Sequence, residues 1–250
     1  MIHTAYDVMK EYLITGAELD GPYQIPVIPP MQLAPKKSID FVSSKSRSLK
    51  GHKDLTVNFY IDDKSFLQVW NQPDQYVEHL KCFHSVCSPD FTIASGMPSA
   101  LNIYNLYRNH ALGYYWAVMG VKIIPSVNII SPKEMPWIFD GTPHRSTVSC
   151  CTNGRVRSKS ARMEFCENFK EMLDAIEPTK VVIVGIVPDE LNVDVPIINL
   201  NSRSQNMKEM FRKEGPWEQS VADQQNEETK KPVGRRNAEA DFSVLWDEET

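Results

Sequence analysis

From Leu55 onward apolar and polar positions alternate, with Leu55, Val57, Phe59 and Ile61 on one side of an extended chain. A period of two predicts a strand. The period lengthens over Ser65 to Leu80, where Phe66, Val69, Trp70, Tyr76, Val77 and Leu80 follow helical spacing and Pro73 predicts a split into two pieces. Cys82 to Cys87 predicts a second short strand. Pro98 to Met119 is the longest helical stretch, with Pro98 suited to a first turn and Gly120 ending it. Val121 to Val127 predicts a strand bent at Pro125, and Ser146 to Cys151 another. Ser158 to Ile176 is amphipathic, opens on a Ser cap and stops before Pro178. The apolar run Lys180 to Ile186 fits a strand buried on both faces of a parallel sheet, and Val195 to Leu200 predicts a last strand.

Strands alternating with helices predict an α/β domain over residues 54–203, with a mostly parallel sheet of five or six strands flanked by helices. An open doubly wound sheet is slightly preferred over a small incomplete barrel, because eight strand–helix units cannot be counted. Residues 1–53 read as an N-terminal arm and linker packed on that domain. Tyr6 to Leu13 fits a short helix, the repeated prolines between Gly21 and Pro30 exclude a helix or central strand, and 43–53 is a polar, basic linker. Residues 204–250 carry mixed charge and no sustained apolar period, the composition of a disordered charged tail. Phe242, Leu245 and Trp246 lie there among acids, either as a frayed end or as anchors for a host protein.

Composition narrows the function classes. Of 250 residues, 42% are hydrophobic, enough for a large core. The net charge of -5 means that nucleic-acid binding needs a local basic patch, for which Lys36–Lys37 with Lys45 to Lys53, and Arg155 to Arg162, are candidates. Their simpler reading is a solvated loop and a helix start. Five cysteines without zinc-site spacing, and no apolar run of membrane-spanning length, fit a cytoplasmic protein with reduced thiols and no membrane partner.

Ligands of parallel α/β sheets bind outside the carboxyl ends of the strands. The residues following each expected strand are therefore the site candidates. Asp62, Asp63, Asp90 and Asp140 are the candidate catalytic acids. Asp62, Asp63 and Asp90 also offer hard oxygen ligands for Mg²⁺ or another divalent cation, while a helix cap is the plain alternative for the first two. Asp90, in a stiff Ser-Pro-Asp-Phe turn, is a candidate base. Asn102, Asn105 and Asn109 make a polar stripe on an otherwise apolar helix, with Arg108 beside Asn105, and Arg108 suits either an internal carboxylate or an anionic ligand. Asn128, Ser149, Thr152, Asn153 and Gly154 complete the candidate substrate-binding set, the last four in a small-residue turn before a helix.

Several phrases occur together: Ala17-Glu18-Leu19-Asp20-Gly21, Phe59-Tyr60-Ile61-Asp62-Asp63, Val69-Trp70-Asn71, Ser88-Pro89-Asp90-Phe91, Met97-Pro98, Asn105-Leu106-Tyr107-Arg108-Asn109 and Phe139-Asp140-Gly141-Thr142-Pro143. Their order and spacing resemble a domain-of-unknown-function family of bacteriophages and bacterial mobile elements, over roughly residues 15 to 190. The resemblance implies a protein that works in the host cytoplasm. Two functions fit: an enzyme acting on a nucleotide or nucleic-acid phosphate at the strand ends, or a non-enzymatic module that binds a host protein, nucleic acid or nucleotide signal during infection.

Overall fold

A computed structural model describes residues 10–46 and 52–214. The start of the expected Tyr6–Leu13 helix, part of the basic linker, and the tail from 215 with Phe242, Leu245 and Trp246 lie outside the described residues. The chain divides into Met1–Met207 and Lys208–Thr250. Of the second unit, the described part is the end of one helix.

A two-stranded antiparallel hairpin, β1 (Leu19–Asp20) and β2 (Ile25–Pro26), precedes the main sheet. β3 (Lys37–Asp40) leads into the single turn α1 (Phe41–Ser44), capped by the Asp40 carboxylate on the Ser43 N–H at 3.0 Å. After β4 (Leu55–Asn58) the chain forms short helical pieces, including α2 (Gln68–Asn71) and α3 (Val77–Lys81), broken at Pro73 as its fixed φ requires. Then follow β5 (Ser85–Cys87), α4 (Ser99–Val118), β6 (Ile123–Ile124), β7 (Thr147–Cys151), α5 (Lys159–Ile176), β8 (Lys180–Val184), β9 (Ile197–Leu200) and α6 (Arg203–Glu214).

Every strand pair in the main sheet is parallel. The order is β3-β4-β5-β6 in one sheet and β7-β8-β9 in the other. A parallel bridge between Ser126 and Ser149 joins them, with Val127 N–H donating to Ser149 O at 2.7 Å. Strand order thus equals chain order and never reverses. A doubly wound sheet requires a reversal, so the preferred open arrangement gives way to the small incomplete barrel. The edges also approach each other, since Ser38 on β3 donates its hydroxyl to the Asn201 carbonyl just after β9.

Alternation along the strands sorts the two faces. Val57, Val86 and Ile123 face a cluster that includes Leu112 and Trp116 of α4. Val148, Cys150, Val181 and Ile183 face a cluster with Phe165, Phe169 and Met172 of α5. The intervening residues point the other way and are mostly small or polar: Thr56, Ser85, Cys87, Thr147 and Ser149 are all buried. Ile124, Val182, Val184 and Leu200 gather on this concave side. A tightly curled sheet has little room inside, which explains the small residues. Buried hydroxyls there must pair, and Thr56 Oγ1 meets Ser85 Oγ at 2.8 Å.

Two expected boundaries change. Lys37–Asp40 belongs to the arm by its sequence yet is the first strand, because its register places Ile39 opposite Val57. The expected disordered tail begins with α6, whose first turn is tied to β3. Ser202 and Gln205 cap each other, Asn206 Nδ2 donates to the Ser38 carbonyl at 3.1 Å, and Arg203 reaches Asp40 at 3.8 Å.

Gly141 packs closely where the hairpin meets the barrel. Its φ is 74°, and a Cβ there would stand 2.6 Å from Ile25 Cγ2 and 2.8 Å from the Pro26 carbonyl. Gly120 has φ 94°, but a Cβ would meet only Lys81 Cε at 3.7 Å. Gly141→Ala should therefore cost about 3 kcal/mol through strain plus overpacking, and Gly120→Ala about 1 kcal/mol through strain alone. Urea denaturation of both variants checks this; equal losses would show that the hairpin yields to the added methyl.

Candidate functional site

The loops after β4, β5, β6 and β7 meet at one rim, as parallel strands require. A cavity of about 170 Å³ opens there, lined by Tyr60, Asp90, Thr92, Asn128, Cys151, Asn153 and Arg155 among others. A second cavity of about 310 Å³ lies between α5 and the loop after β5, and shares Ile129 and Arg155 with the first.

Asp90 is carried by a loop that is fixed at its root. Ser88 Oγ accepts from Ser126 N–H at 2.8 Å, and the Ser88 carbonyl accepts from Ser126 Oγ at 2.6 Å. Asn128 Nδ2 donates to Asp90 Oδ1 at 3.2 Å, and Asn128 Oδ1 accepts from Arg155 Nη2 at 3.3 Å. Arg155 Nη1 donates to the Ile129 carbonyl at 3.0 Å. The guanidinium has five N–H donors, so most are free for a ligand. Among the described residues no carboxylate lies within ion-pair distance of it.

Burial pushes the Asp90 carboxyl up to about 6, with Arg155 opposing and Asp63 adding to the rise. A carboxyl in that range can take or give a proton near neutral pH. Its neighbours cannot. Burial holds Cys87 and Cys151 up at about 12 and Cys150 up as well, so the thiols stay protonated. Burial also raises Tyr60 well above its ordinary value, and its hydroxyl donates to Ser149 Oγ at 2.9 Å. Of these groups Asp90 alone has a pKa near neutral pH.

The loop that follows Asp90 is held by a ladder of amides on α4. Asn109 Oδ1 accepts from Phe91 N–H at 2.7 Å while its Nδ2 donates to the Phe91 carbonyl at 3.2 Å. Asn105 Nδ2 donates to the Thr92 carbonyl at 2.6 Å. Asn102 accepts from Ala94 N–H at 3.1 Å and donates to its carbonyl at 3.0 Å. Spacings of three and four residues stack these amides on one helix face, where they replace the backbone partners that a buried loop lacks. Asn102 and Asn105, expected to touch substrate, are thus occupied by the chain itself.

Among the described residues Arg108 has no carboxylate partner, and it does not line the cavity. Its guanidinium lies 3.8 Å from the Phe91 ring centroid and 4.8 Å from that of Tyr104, and donates to Asn105 Oδ1. Burial lowers its pKa, and its Nε has no partner among the described residues. It closes the ladder from outside by cation–π contact.

The other candidates are dispersed. Asp62 caps a 3₁₀ turn through Lys64 N–H at 3.1 Å, which together with the Lys64 side chain keeps its carboxyl below the usual range. Asp63 accepts from the Thr92 N–H at 3.0 Å and from the Thr92 hydroxyl at 2.9 Å, and so braces the Asp90 loop. Among the described residues no three His, Cys, Asp or Glu side chains come together as a metal group, and Asp62, Asp63 and Asp90 do not form one. Asp140 sits instead at the hairpin beside Asp20 and Gly21, where burial and then Asp20 push its carboxyl up to about 6. Asn128 and Asn153 line the first cavity and Gly154 the second. Ser149 is buried beneath Tyr60, and Thr152 is buried with its hydroxyl unpartnered. The expected site residues do not include Tyr60, Thr92 or Arg155; by its sequence Arg155 opens a basic stretch that fits a nucleic-acid patch or a helix start. Its signal was position, immediately after the Asn153-Gly154 turn at a strand end.

A family model described as Domain of unknown function (DUF4417) matches residues 17–201, from the hairpin to the end of β9. The chain is also similar to the Gene 1 protein of Mycobacterium phage L5, 26% identical over 179 residues, which is 72% of this chain and 78% of the relative. A second relative is the Gene 1 protein of Mycobacterium phage D29, 26% identical over 163 residues, or 65% of this chain and 60% of the relative. No solved structure matches. Among the described residues no helix is long and apolar enough to cross a membrane.

Two outcomes follow from the site geometry. Asn109→Ala strips partners from two buried backbone groups and should cost about 2–4 kcal/mol in urea denaturation; a loss below about 1 kcal/mol would mean that the loop finds other partners. The raised Asp90 pKa means that the folded state holds this proton more tightly than the unfolded chain. Wild-type stability therefore falls as pH rises from the ordinary carboxyl range through about 6. Asp90→Asn lacks this penalty, so thermal scans should show the variant gaining on wild type between pH 4 and pH 7, roughly the interval between the unfolded and folded values. A difference that does not change with pH would show that the carboxyl titrates normally.

Proposed function

The chain belongs to the family described as Domain of unknown function (DUF4417), and on the geometry of its strand-end cavity we propose that it acts on a nucleotide or a nucleic-acid phosphate. The observation that carries this reading is the line Asp90–Asn128–Arg155. It sets a proton-transfer group that works near neutral pH and a guanidinium with free donors against one cavity. Arg155 holds the anion, since a planar fork of donors matches phosphate oxygens. Asp90 in its ionised form accepts the proton of the attacking hydroxyl or water, and Asn128 orients both side chains. Asn153 and Thr92 supply further polar contacts at the wall. The similarity to phage Gene 1 proteins is compatible with such a role during infection.

A second reading, a non-enzymatic module for a host protein, draws on a different surface. Leu67, Leu101 and Tyr104 are exposed large apolar side chains around Trp70 and Arg108, and aromatic and arginine side chains are favoured anchors at protein interfaces.

The test is a thermal-shift and turnover screen with mononucleotides, dinucleotides and short DNA and RNA. A ligand at about a hundred times its Kd adds roughly 2.7 kcal/mol of stability. Arg155→Ala should weaken its binding about ten- to a hundredfold, the loss expected for charge-assisted hydrogen bonds. Asp90→Asn should keep binding and lose turnover. No shift with any of these ligands would remove this reading and leave the exposed Tyr104 face as the place to look.

A further inference from the structure

The second cavity has no role in the reading above, yet it opens beside the first and shares Arg155 and Ile129 with it. We infer that it is a base-binding subsite for a guanine-type nucleotide whose phosphate lies at Arg155, an inference that rests on the phosphate reading of the first cavity. Three observations converge. The walls are apolar and preformed: Ile93, Ile129, Ile130 and Phe165 line the cavity and are all buried, which suits the faces of a flat ring. The cavity, about 310 Å³, is larger than its neighbour and can take the bulkier end of a two-part molecule. The polar groups at its mouth are acceptor-rich. Glu164 stands on the same face of α5 as Ala161 and Asn168, at helical spacing, and Glu134 stands in the segment after β6. Among the described residues neither carboxylate has a hydrogen-bond or ion-pair partner, whereas nearby Glu171 is taken by Lys133 and Ser131.

The chemistry of the carboxylates selects the base. An ionised carboxylate only accepts, and two oxygens side by side want two donors side by side. Guanine offers that edge, with its ring N–H next to an exocyclic amino group. Adenine and cytosine place an acceptor next to their amino group, and uracil flanks its one N–H with carbonyls. Each of those would set an acceptor against a carboxylate oxygen, and discrimination of this kind can be large because an unmatched polar group is left unpaired. Glu164, on a helix of 18 residues, is the better-fixed reader. Glu134 closes the opposite rim. Arg155 lies where the two cavities join, so a molecule spanning both places its anionic group there and its reacting atoms toward Asp90.

Isothermal titration of the full chain with guanosine, inosine, adenosine and cytidine 5′-monophosphates and with ribose 5-phosphate tests this. Guanosine monophosphate should bind about tenfold or more tighter than the adenosine and cytidine nucleotides, with inosine monophosphate between, having lost one donor. Glu164→Gln should erase most of that preference, weakening guanosine monophosphate and tightening adenosine monophosphate, whose ring acceptor then meets an amide donor, and Asn168→Ala should weaken all four nucleotides alike. The substituted side chain at 164 is exposed, so the variant should fold. Equal affinity for the guanosine and adenosine nucleotides, or a preference untouched by Glu164→Gln and Glu134→Gln, would overturn the base assignment. If ribose 5-phosphate binds as tightly as the nucleotides and depends on Arg155, the base subsite falls while the phosphate reading stands. If nothing binds, both fall.

Discussion

The geometry of the cleft depends on buried amides. The loop after β5 crosses the end of the barrel without a strand beside it, so its backbone groups at Phe91, Thr92 and Ala94 have no sheet partners. Asn109, Asn105 and Asn102 of α4 supply them. A buried backbone polar group without a partner costs as much as a lost hydrogen bond, and the asparagine side chain, with one donor and one acceptor group, can serve a residue on both sides as an adjacent strand does. The helix therefore extends the sheet's hydrogen bonding past the point where the sheet ends. Asp90 and Thr92 take their places in the cavity because of that ladder, and Asp63 and Arg108 brace it from the other side.

The fold makes this arrangement available. Within β3–β6 and within β7–β9 each strand pairs in parallel with the one before it, and the Ser126–Ser149 bridge joins the two runs, so the connections lie on one side and the sheet curls. The curl brings the ends of β4, β5, β6 and β7 to a common rim and leaves a narrow interior, which buried serine, threonine and cysteine fill together with Ile124, Val182, Val184 and Leu200. These buried hydroxyls do more than fill space. Ser126 and Ser149 join the two sheets, receive the Tyr60 hydroxyl, and tie down Ser88 at the root of the Asp90 loop. The same enclosure that keeps the thiols protonated raises Asp90 into the neutral range, because removing water disfavours every anion. The Arg155 guanidinium opposes the rise at Asp90, as it does at Cys150 and Cys151, but only the carboxyl comes to lie near neutral pH.

The hairpin near the N-terminus is joined to the body by a comparable device. Asp20 accepts from the Gly141 N–H at 3.0 Å, and Asp140 packs over Gly21. Two Asp-Gly pairs far apart in the chain thus form one structural joint, which explains why Asp140 lies away from the cleft although its own turn looked like a site.

Element types were legible from hydrophobic spacing alone, because a period of two or of 3.6 is a local property. α4 and α5 start and stop at the Pro, Ser and Gly signals, and the break at Pro73 is where the ring must put it. The rule that ligands sit at strand carboxyl ends was enough to place Asp90, Asn128 and Asn153 in the cavity and Gly154 beside it. Tertiary structure decided the rest. Strand order is not written in any single strand, so barrel and open sheet looked alike. β3 hid in a proline-rich arm because its support comes from pairing with β4 and from contacts with residues 201–206, all distant in sequence. The asparagine stripe announced buried polarity but not its partner, since an amide facing a ligand and an amide facing a loop have the same spacing. Arg155 looked like one charge of a basic patch or helix start until folding set it between Asn128 and the Ile129 carbonyl. Local pattern determines which element forms; which polar group stays free for chemistry depends on what folding has already paired.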